Sequence, residues 1–488
     1  MPRRVHVRVL PEWRDPEAVF RRFGADAPVV AWLDGGPSAT AGRSVLVVGD
    51  AESRVLVSAP DAGDPDDVLR GLRRGLSDLG ADASADEASA PGPAAAAPAV
   101  LGWIGWFGYE WGAARLGVPV APTDAPGAAF LLAERAIVWE HATGAMALHW
   151  LDGPAGEAWA TSIAAGLAVL VDEEAPAAEA SVQPEASLQP EASVPPDASV
   201  PGASEPPAPR VRWRDDPAAY RRKIEACRAA IVRGDAYQLC LTNRVEVDGE
   251  VDAVAAYLRL RRSSPTHHGG FLRLGGVALL SASPEQFLVV DRDGTVTTKP
   301  MKGTRPRGAD PASDAALRAE LLASEKERAE NLMIVDLMRN DLGRVAELGT
   351  VAVPALHEVE EYAHVHQLVS TVSARLRPPL DALDAVAAAF PAGSMTGAPK
   401  LSAMRILHDL EGGPRGVYSG AFGCLAVDGT ADLAMTIRSV VVTSRGASIG
   451  TGGGITALSE ADAEVEETRV KARALIDAVV GRRVAPIE

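Results

Sequence analysis

Lysine is scarce in this sequence of 488 residues, which contains 48 basic residues but only six lysines, so that 42 are arginine. The lysines are Lys223, Lys299, Lys302, Lys326, Lys400 and Lys471. Because arginine is the default surface cation of the chain, each lysine needs an individual chemical reason. Positive charge is also lacking overall, since the formal net charge is −17. That balance excludes a nucleic-acid platform and a basic membrane-surface protein.

Cysteine and long apolar runs are lacking as well. The three cysteines, Cys227, Cys240 and Cys424, have no CxxC spacing, which excludes a zinc knot and a disulfide framework and suits a reducing cytosol. The N-terminal residues carry charges but no apolar signal-peptide core. The longest weakly polar run, at 159–171, is shorter than the roughly 18 to 20 residues that cross a bilayer. We therefore expect a soluble, cytoplasmic protein.

Residues 172–212 predict a linker, because a six-residue unit recurs in them as SVQPEA, SLQPEA and SVPPDA. Proline, alanine, serine and glutamate offer too little apolar surface to offset the entropy of ordering such a segment. A similar stretch at 81–98 predicts an exposed loop insertion. The chain then divides into an N-terminal region at 1–171, the linker at 172–212 and a C-terminal domain at 213–488.

Hydrophobic periodicity predicts strands and helices in mixed order. The strands expected near the candidate chemistry are 237–247, 278–280, 287–290, 433–443 and 447–450. The main helices expected there are 217–234, 315–345 and 462–480. This mixture, with several hairpin-like spacings, predicts an α+β fold with antiparallel sheets.

Acidic side chains recur with helical spacing in two places. Glu464, Glu467 and Lys471 are spaced i, i+3, i+7 and share one face of a predicted helix. One interpretation is a solvated face with an ordinary ion pair, which contributes about 0.3–0.5 kcal/mol. The other is part of a cation site, because Glu327 and Glu330 repeat the pair on a second predicted helix. Carboxylates from two helices suit Mg²⁺ better than zinc.

Two further features could bind an anion. Residues 450–455, Gly-Thr-Gly-Gly-Gly-Ile, predict a turn in which backbone N–H groups approach a ligand without interference from Cβ atoms, although a plain loop has the same composition. Arg438 lies among apolar residues in a predicted strand. It is either on the exposed face of that strand or buried against a carboxylate, which a small acidic ligand would supply.

Lys302 lies in KPMKGTRPR at 299–307, where prolines and a glycine predict a rigid loop. One interpretation is a basic surface loop. In the other, the cations of Arg305 and Arg307 and shelter from water lower the pKa of Lys302 and make its amine a nucleophile. Glu285, at a predicted strand entry 17 residues earlier, could serve as a general acid.

Together these segments resemble the chorismate-utilising enzymes, and within them the aminodeoxychorismate synthase branch. The matching segments occur in the order found in that family and cover residues 213–488 densely, whereas the first 170 residues match weakly. They are GDAYQLCLTNR, SPEQFL, KPMKGTRPRG, ENLMIVDLMRNDLGRV, VHQLVSTV, FPAGSMTGAPK, GVYSGAFG and GTGGGITALSEADAEVEETRVKA.

The resemblance implies an α+β fold of two packed antiparallel β-sheets flanked by helices, like that of anthranilate synthase component I, with the site in the C-terminal half. It implies Mg²⁺ held by Glu330 and Glu467, with Glu327 and Glu464 helping through water. The substrate-binding residues it implies are Arg438, Tyr418, Thr396, Lys471 and the backbone of Gly452, Gly453 and Gly454.

Within the family, Lys302 implies the branch that aminates chorismate to 4-amino-4-deoxychorismate for para-aminobenzoate and folate synthesis. Lys302 would be the nucleophile and Glu285 the general acid and base. Anthranilate synthases have a small residue in place of this lysine and a histidine where Gln367 stands; here His366 is one place earlier and could reach only from a shifted backbone. Isochorismate and salicylate synthases have a water-activating lysine where Gln238 stands.

Three expectations concern partners and rivals. None of the cysteines lies in an amidotransferase motif, so glutamine would be hydrolysed by a separate glutamine amidotransferase subunit. Asp34, in AWLDGG, replaces the segment with which family members bind tryptophan, so tryptophan binding is doubtful. The alternatives are anthranilate synthase component I and, from a different class, a non-catalytic subunit that binds chorismate or a partner.

Overall fold

A computed structural model of the chain describes residues 3–58, 64–80, 100–170, 209–362 and 365–482. The insertion predicted at 81–98 and residues 172–208 of the predicted linker lie outside the described residues. The last part of the linker range is described, and a short strand begins there at Val211. No helix in the described residues is long and apolar enough to cross a membrane.

The described residues form 22 strands and 11 helices. The strands are β1 (Val5–Val9), β2 (Val30–Asp34), β3 (Arg43–Val48), β4 (Val55–Val57), β5 (Gly102–Phe107), β6 (Ala128–Ala133), β7 (Arg135–Glu140), β8 (Ala145–Leu151), β9 (Val211–Trp213), β10 (Gln238–Asp248), β11 (His268–Leu274), β12 (Val277–Ser283), β13 (Gln286–Val290), β14 (Thr295–Thr298), β15 (Met301–Pro306), β16 (Ala352–Glu361), β17 (Val365–Arg375), β18 (Gly397–Ala398), β19 (Ala421–Ala426), β20 (Ala431–Met435), β21 (Ser439–Thr443) and β22 (Gly446–Ile455). The helices are α1 (Pro16–Phe23), α2 (Asp66–Leu79), α3 (Tyr109–Arg115), α4 (Pro154–Ala168), α5 (Pro217–Arg233), α6 (Ala253–Ser263), α7 (Pro311–Ala323), α8 (Glu325–Gly343), α9 (Ala382–Ala389), α10 (Lys400–Glu411) and α11 (Ala461–Val480).

The strands assemble into two antiparallel sheets. The first has the order β1-β8-β7-β3-β2-β11-β12-β21-β22-β10-β18, with β9 beside β10. The second has the order β15-β17-β14-β13-β20-β19-β5-β6-β4, with β16 beside β17. Strands from both halves of the chain meet inside each sheet, because β2 pairs with β11 and β5 pairs with β19.

The two main hydrophobic cores lie on opposite faces of the first sheet, so neighbouring side chains of one strand point into different cores. In β2, Ala31 points into the core between the sheets, where it joins Phe107 and Leu279. Trp32 points to the opposite face and packs with helix residues that include Phe20 of α1. This alternation is expected of a sheet buried on both faces. The fold class is therefore confirmed: two packed antiparallel sheets with helices on their outer faces.

Three element predictions were wrong in detail. The stretch predicted as one helix at 315–345 is two helices, α7 and α8, because Ser324 begins α8 and its hydroxyl accepts the backbone N–H of Glu327. The stretch predicted as one strand at 433–443 is interrupted at Arg438, whose φ of 49° takes the backbone out of the extended conformation. The glycine-rich residues predicted as a turn after a strand belong to the second half of β22.

Candidate active site

A free strand edge lies at the centre of the site. β21 pairs with β22 only up to Ile449, so within the described part of the chain Gly452 and Gly454 have no strand beside them on that edge. On the other edge Leu241 of β10 stands opposite Gly453. The N–H of Cys240 points away from β22, toward Thr396. Because N–H directions alternate along a strand, Gly453 bonds β10 while the N–H groups of Gly452 and Gly454 face outward.

Gly454 has no room for a side chain, because two functional groups lie over it. A Cβ atom there would be 2.3 Å from Nε2 of Gln238 and 2.8 Å from Nζ of Lys302. Gln238 is completely buried, and neither polar atom of its carboxamide has a hydrogen-bond partner in the described structure. Buried polar groups are normally paired, which makes this carboxamide a candidate for contact with a ligand.

A β-bulge aims Lys302 at this edge. Three residue steps from Met301 to Thr304 lie opposite two steps of β17, which leaves one extra residue in β15. Gly303 adopts a φ of 81°, and a Cβ there would be 2.9 Å from the carboxylate of Glu327. Only glycine tolerates both conditions. The predicted rigid loop is therefore a bulged strand that fixes the direction of Lys302.

The predicted electrostatics of Lys302 were wrong. Arg305 and Arg307, its neighbours in sequence, pair with the carboxylates of Glu320 and Asp314. Nζ of Lys302 instead lies 3.8 Å from a carboxylate oxygen of Glu330. Burial alone would lower its pKa, but nearby negative groups, Glu330 foremost, outweigh burial and raise the pKa above its ordinary value. Lys302 is thus an ammonium in the free protein.

Glu285 follows β12 and is buried, with 8% of its surface exposed. Its carboxylate accepts a hydrogen bond of 2.8 Å from the hydroxyl of Ser394. Burial raises the pKa of Glu285 to about 7, against opposing effects of Ser394, Lys302 and Lys471. A carboxyl that holds its proton near neutral pH is suited to general acid and base catalysis.

Carboxylates of α11 lie over Gly453 of β22, and a carboxylate of α8 interacts with them. A Cβ at Gly453 would be 2.9 Å from Glu464 and 3.7 Å from Glu467. Glu330 of α8 interacts electrostatically with both of these glutamates, and Glu327 interacts with Glu330. Burial foremost raises the pKa of Glu330 and of Glu464. At Glu467 burial raises the pKa, but the nearby lysines together outweigh burial and lower it; foremost among them is Lys471, which is 2.5 Å from the carboxylate.

These carboxylates fit Mg²⁺ as a donor set. Among the described residues, no three acidic, histidine or cysteine side chains are close enough to enclose a metal ion. Mg²⁺ does not need such a cage, because it is commonly held by one or two carboxylates together with water and substrate oxygens. Glu330 and Glu467, which interact electrostatically with each other, would supply that number.

Four predicted substrate-binding residues lie in different environments. Tyr418 packs its ring on Gly450, and burial raises its pKa, so its hydroxyl remains a donor. Arg438 is exposed, interacts electrostatically with Tyr418 and Glu467, and has no carboxylate paired with it in the described structure. Nζ of Lys471 donates to the carbonyl of Gly452 at 2.8 Å. Thr396 differs, because its hydroxyl is used within its own turn, toward the carbonyl of Ala392.

A comparison with protein-family models matches residues 55–477 to the family described as chorismate binding enzyme. The chain belongs to this family. An aminodeoxychorismate synthase of Streptomyces pristinaespiralis is 40% identical over 98% of this chain, which spans 65% of that relative's length. An anthranilate synthase component 1 of Streptomyces coelicolor is 39% identical over 78% of this chain and 72% of its own.

A solved structure also resembles this chorismate-binding enzyme. Anthranilate synthase component I from Streptococcus pneumoniae TIGR4 superposes with a TM-score of 0.70 at 28% identity, over 90% of this chain and 93% of its own. The likeness extends over both sheets, which agrees with the fold expected from the sequence.

His366 and Gln367 point to opposite faces of β17, as the sequence indicated. His366 is buried and contacts Asp314 at 2.9 Å, so it turns away from the cleft of this chorismate-binding enzyme. Gln367 accepts a hydrogen bond from Thr304, two residues after Lys302. No shifted backbone brings His366 to the site.

Asp34 lies in the N-terminal segment that corresponds to the tryptophan-binding segment of family members. Its carboxylate is 2.7 Å from Nε of Arg261 and accepts the hydroxyl of Tyr257 at 3.0 Å. Both charged residues are buried, with 3% and 6% of their surface exposed. The chain's own ion pair therefore fills this position.

Sequence reasoning missed Ser394 as the partner of Glu285. The two residues are 109 positions apart, and only the fold brings them together. A signal was present, because Ser394 lies in a glycine-flanked motif, GSMTG, that is too polar for a core strand.

Proposed function

We propose that this chain aminates chorismate to 4-amino-4-deoxychorismate in a Mg²⁺-dependent reaction for para-aminobenzoate and folate synthesis. The observation that carries the proposal is the amine of Lys302 beside the free edge at Gly454, next to the carboxamide of Gln238. The family resemblance implies that members which activate water carry a lysine at the position of Gln238. An amine that forms a bond to the ring, with a neutral carboxamide beside it, favours transfer of nitrogen over hydroxyl.

The substrate would lie along the free edge of β22. The outward N–H groups of Gly452 and Gly454 would donate to one carboxylate of chorismate. Arg438 and Tyr418 would donate to the other, since both have donors that the described protein leaves open. Mg²⁺ held by Glu330 and Glu467 would neutralise the ring carboxylate and favour departure of the ring hydroxyl.

Glu285 would relay protons between Lys302 and the leaving group. The ammonium of Lys302 loses a proton to Glu285, and its amine then attacks the ring with an allylic shift. Glu285 passes the proton to the departing hydroxyl, which leaves as water. Ammonia displaces the amine of Lys302 in a second allylic shift. Glu285 transfers the proton that the bound ammonia loses to this amine, which restores the ammonium of Lys302. A pKa of about 7 suits both directions of transfer.

The ammonia would come from a separate glutamine amidotransferase subunit. The sequence offers no nucleophilic-cysteine motif, and burial raises the pKa of each of its three cysteines. A thiol with a raised pKa is a poor nucleophile. Glutamine hydrolysis within the described part of this chain is therefore unsupported.

Anthranilate synthase component I is the rival function, because a relative of that name is 39% identical. Incubation with chorismate, Mg²⁺ and ammonium, followed by chromatography, separates the candidates. Aminodeoxychorismate as the main product supports the proposal, whereas anthranilate or isochorismate overturns it. No turnover with ammonium or with a glutamine-supplied partner would favour a binding subunit.

A further inference from the structure

Arg415 is a buried cation that no step above uses. It lies after α10 with 5% of its surface exposed and stacks its guanidinium on Tyr109, 4.3 Å from the ring centre. Nε and Nη2 donate to the two carboxylate oxygens of Glu411 at 2.8 and 2.6 Å. A bidentate pair of this kind has a defined direction as well as strength.

The remaining donors of Arg415 reach three backbone segments. Nη1 donates to the carbonyl of Met395 at 2.5 Å, and Nη2 donates to the carbonyl of Cys240 at 2.8 Å. Nη1 also contacts the hydroxyl of Ser419 at 3.5 Å. Glu411 fixes the same region, because it accepts the backbone N–H of Thr242 at 2.9 Å.

Each of those segments carries a side chain of the site. Met395 follows Ser394, which holds Glu285. Cys240 lies two residues after Gln238 on β10, and Ser419 follows Tyr418. The guanidinium of Arg415 therefore contacts the backbone segments that position Glu285, Gln238 and Tyr418.

The backbone of Arg415 is held as firmly as its side chain. The N–H groups of Arg415 and Gly416 donate to the two oxygens of Glu110 at 2.7 and 2.9 Å. Burial raises the pKa of Glu110 to about 7, against the effect of these bonds. Burying the charges of Arg415 and Glu411 has a desolvation cost. That cost is offset where a fully hydrogen-bonded network fixes a unique arrangement.

We propose that Arg415 is a positioning residue, which sets the distance between the turn of Ser394 and strand β10 and thereby the alignment of Glu285 and Gln238. The proposal rests on the function proposed above for the site. Among the residues proposed to bind the carboxylates of chorismate, only Tyr418 is adjacent in sequence to a residue that Arg415 contacts, and that contact with Ser419 is long, at 3.5 Å. Loss of the Arg415 guanidinium should therefore affect turnover more than binding.

Replacement of Arg415 by lysine tests the idea. Lysine keeps the charge but cannot hold Glu411, Met395 and Cys240 together. We expect kcat for total chorismate consumption to fall roughly 10- to 100-fold, with KM for chorismate changed less than threefold, because small displacements of reacting groups have effects of this size. Arg261→Lys is the matched control, since Arg261 is equally buried in a bidentate pair but contacts Asp34.

An equal loss of kcat in Arg415→Lys and Arg261→Lys would overturn the positioning role. If Arg415→Lys does not fold, Glu411→Asp makes the same test, because it moves the carboxylate away from Arg415 by one methylene and keeps the charge. An unchanged kcat in folded Glu411→Asp also overturns the role. Counting all chorismate consumed, whatever the product, separates this test from the proposed function, which fails on product identity in the wild-type protein.

Discussion

At the residue scale, two side chains acquire their chemistry from partners distant in sequence. Lys302 is placed among Glu330, Glu467 and Glu285 by the bulge of β15, and its two arginine neighbours in sequence are turned toward other carboxylates. Glu285 owes its high pKa to burial. Neither environment follows from the local sequence, which explains why the sign of the Lys302 shift was mispredicted.

Lys302→Ala should abolish or redirect turnover while the fold survives. The side chain is a partly exposed group whose removal opens the cleft without a cavity in the core. Chromatographic products should show no aminodeoxychorismate, and the unfolding curve should remain cooperative. Unchanged product formation would refute the nucleophile role.

Glu285→Gln should remove a pH dependence of stability in the metal-free protein. A carboxyl whose pKa is raised from 4.5 to about 7 by folding binds its proton more tightly in the folded state. Its contribution to the free energy of unfolding is therefore complete below pH 4.5 and is lost as the pH rises to about 7. The whole change is about 3 kcal/mol. Urea unfolding at pH 5 and pH 8 measures this. The decline should be smaller in Glu285→Gln, and an equal decline in both proteins would contradict the assignment.

At the scale of elements, strand β22 has a free edge because it extends beyond the end of its pairing with β21. Its glycines have no alternating side chains, so no period of two was visible and a turn was predicted. Pairing with β10 decides the conformation instead. The break between α7 and α8 was more accessible, because Ser324 and Glu327 have the spacing of a helix start.

Gly454→Ala should disable the site without unfolding the protein. The added methyl group would collide with Gln238 and Lys302, and their displacement should reduce turnover by roughly 100-fold or more. Gly343→Ala is the matched control, because a Cβ there meets no atom within 4 Å. Steady-state kinetics of both variants makes the comparison; similar activities would show that the close approach at Gly454 is unimportant.

At the scale of the molecule, the two halves of the chain share both sheets. Strand β2 lies beside β11, and β5 lies beside β19, so each half covers a strand edge of the other. The sequence predicted the fold class and most elements through periodicity. It gave no information on these long-range pairings, since many partners satisfy the same apolar pattern.

Separating the chain between residues 170 and 209 should therefore give two dependent fragments. Expressed together, they should copurify through a tag on either one and retain activity, because the paired strands rebuild both sheets. Expressed alone, residues 209–488 should aggregate, since β11 and β19 would expose unpaired edges. A soluble and active C-terminal fragment would contradict this dependence.

The six lysines all form ion pairs, and three of them contact the carboxylates of the proposed cation site. Lys302 and Lys326 lie within 4.0 Å of Glu330, and Lys471 contacts Glu467. A protein grown on isotope-labelled lysine would consequently give a nuclear magnetic resonance spectrum of only six side-chain signals, half of them from this cluster. Titrating Mg²⁺ or chorismate into such a sample would monitor the site directly, with no reporter group attached.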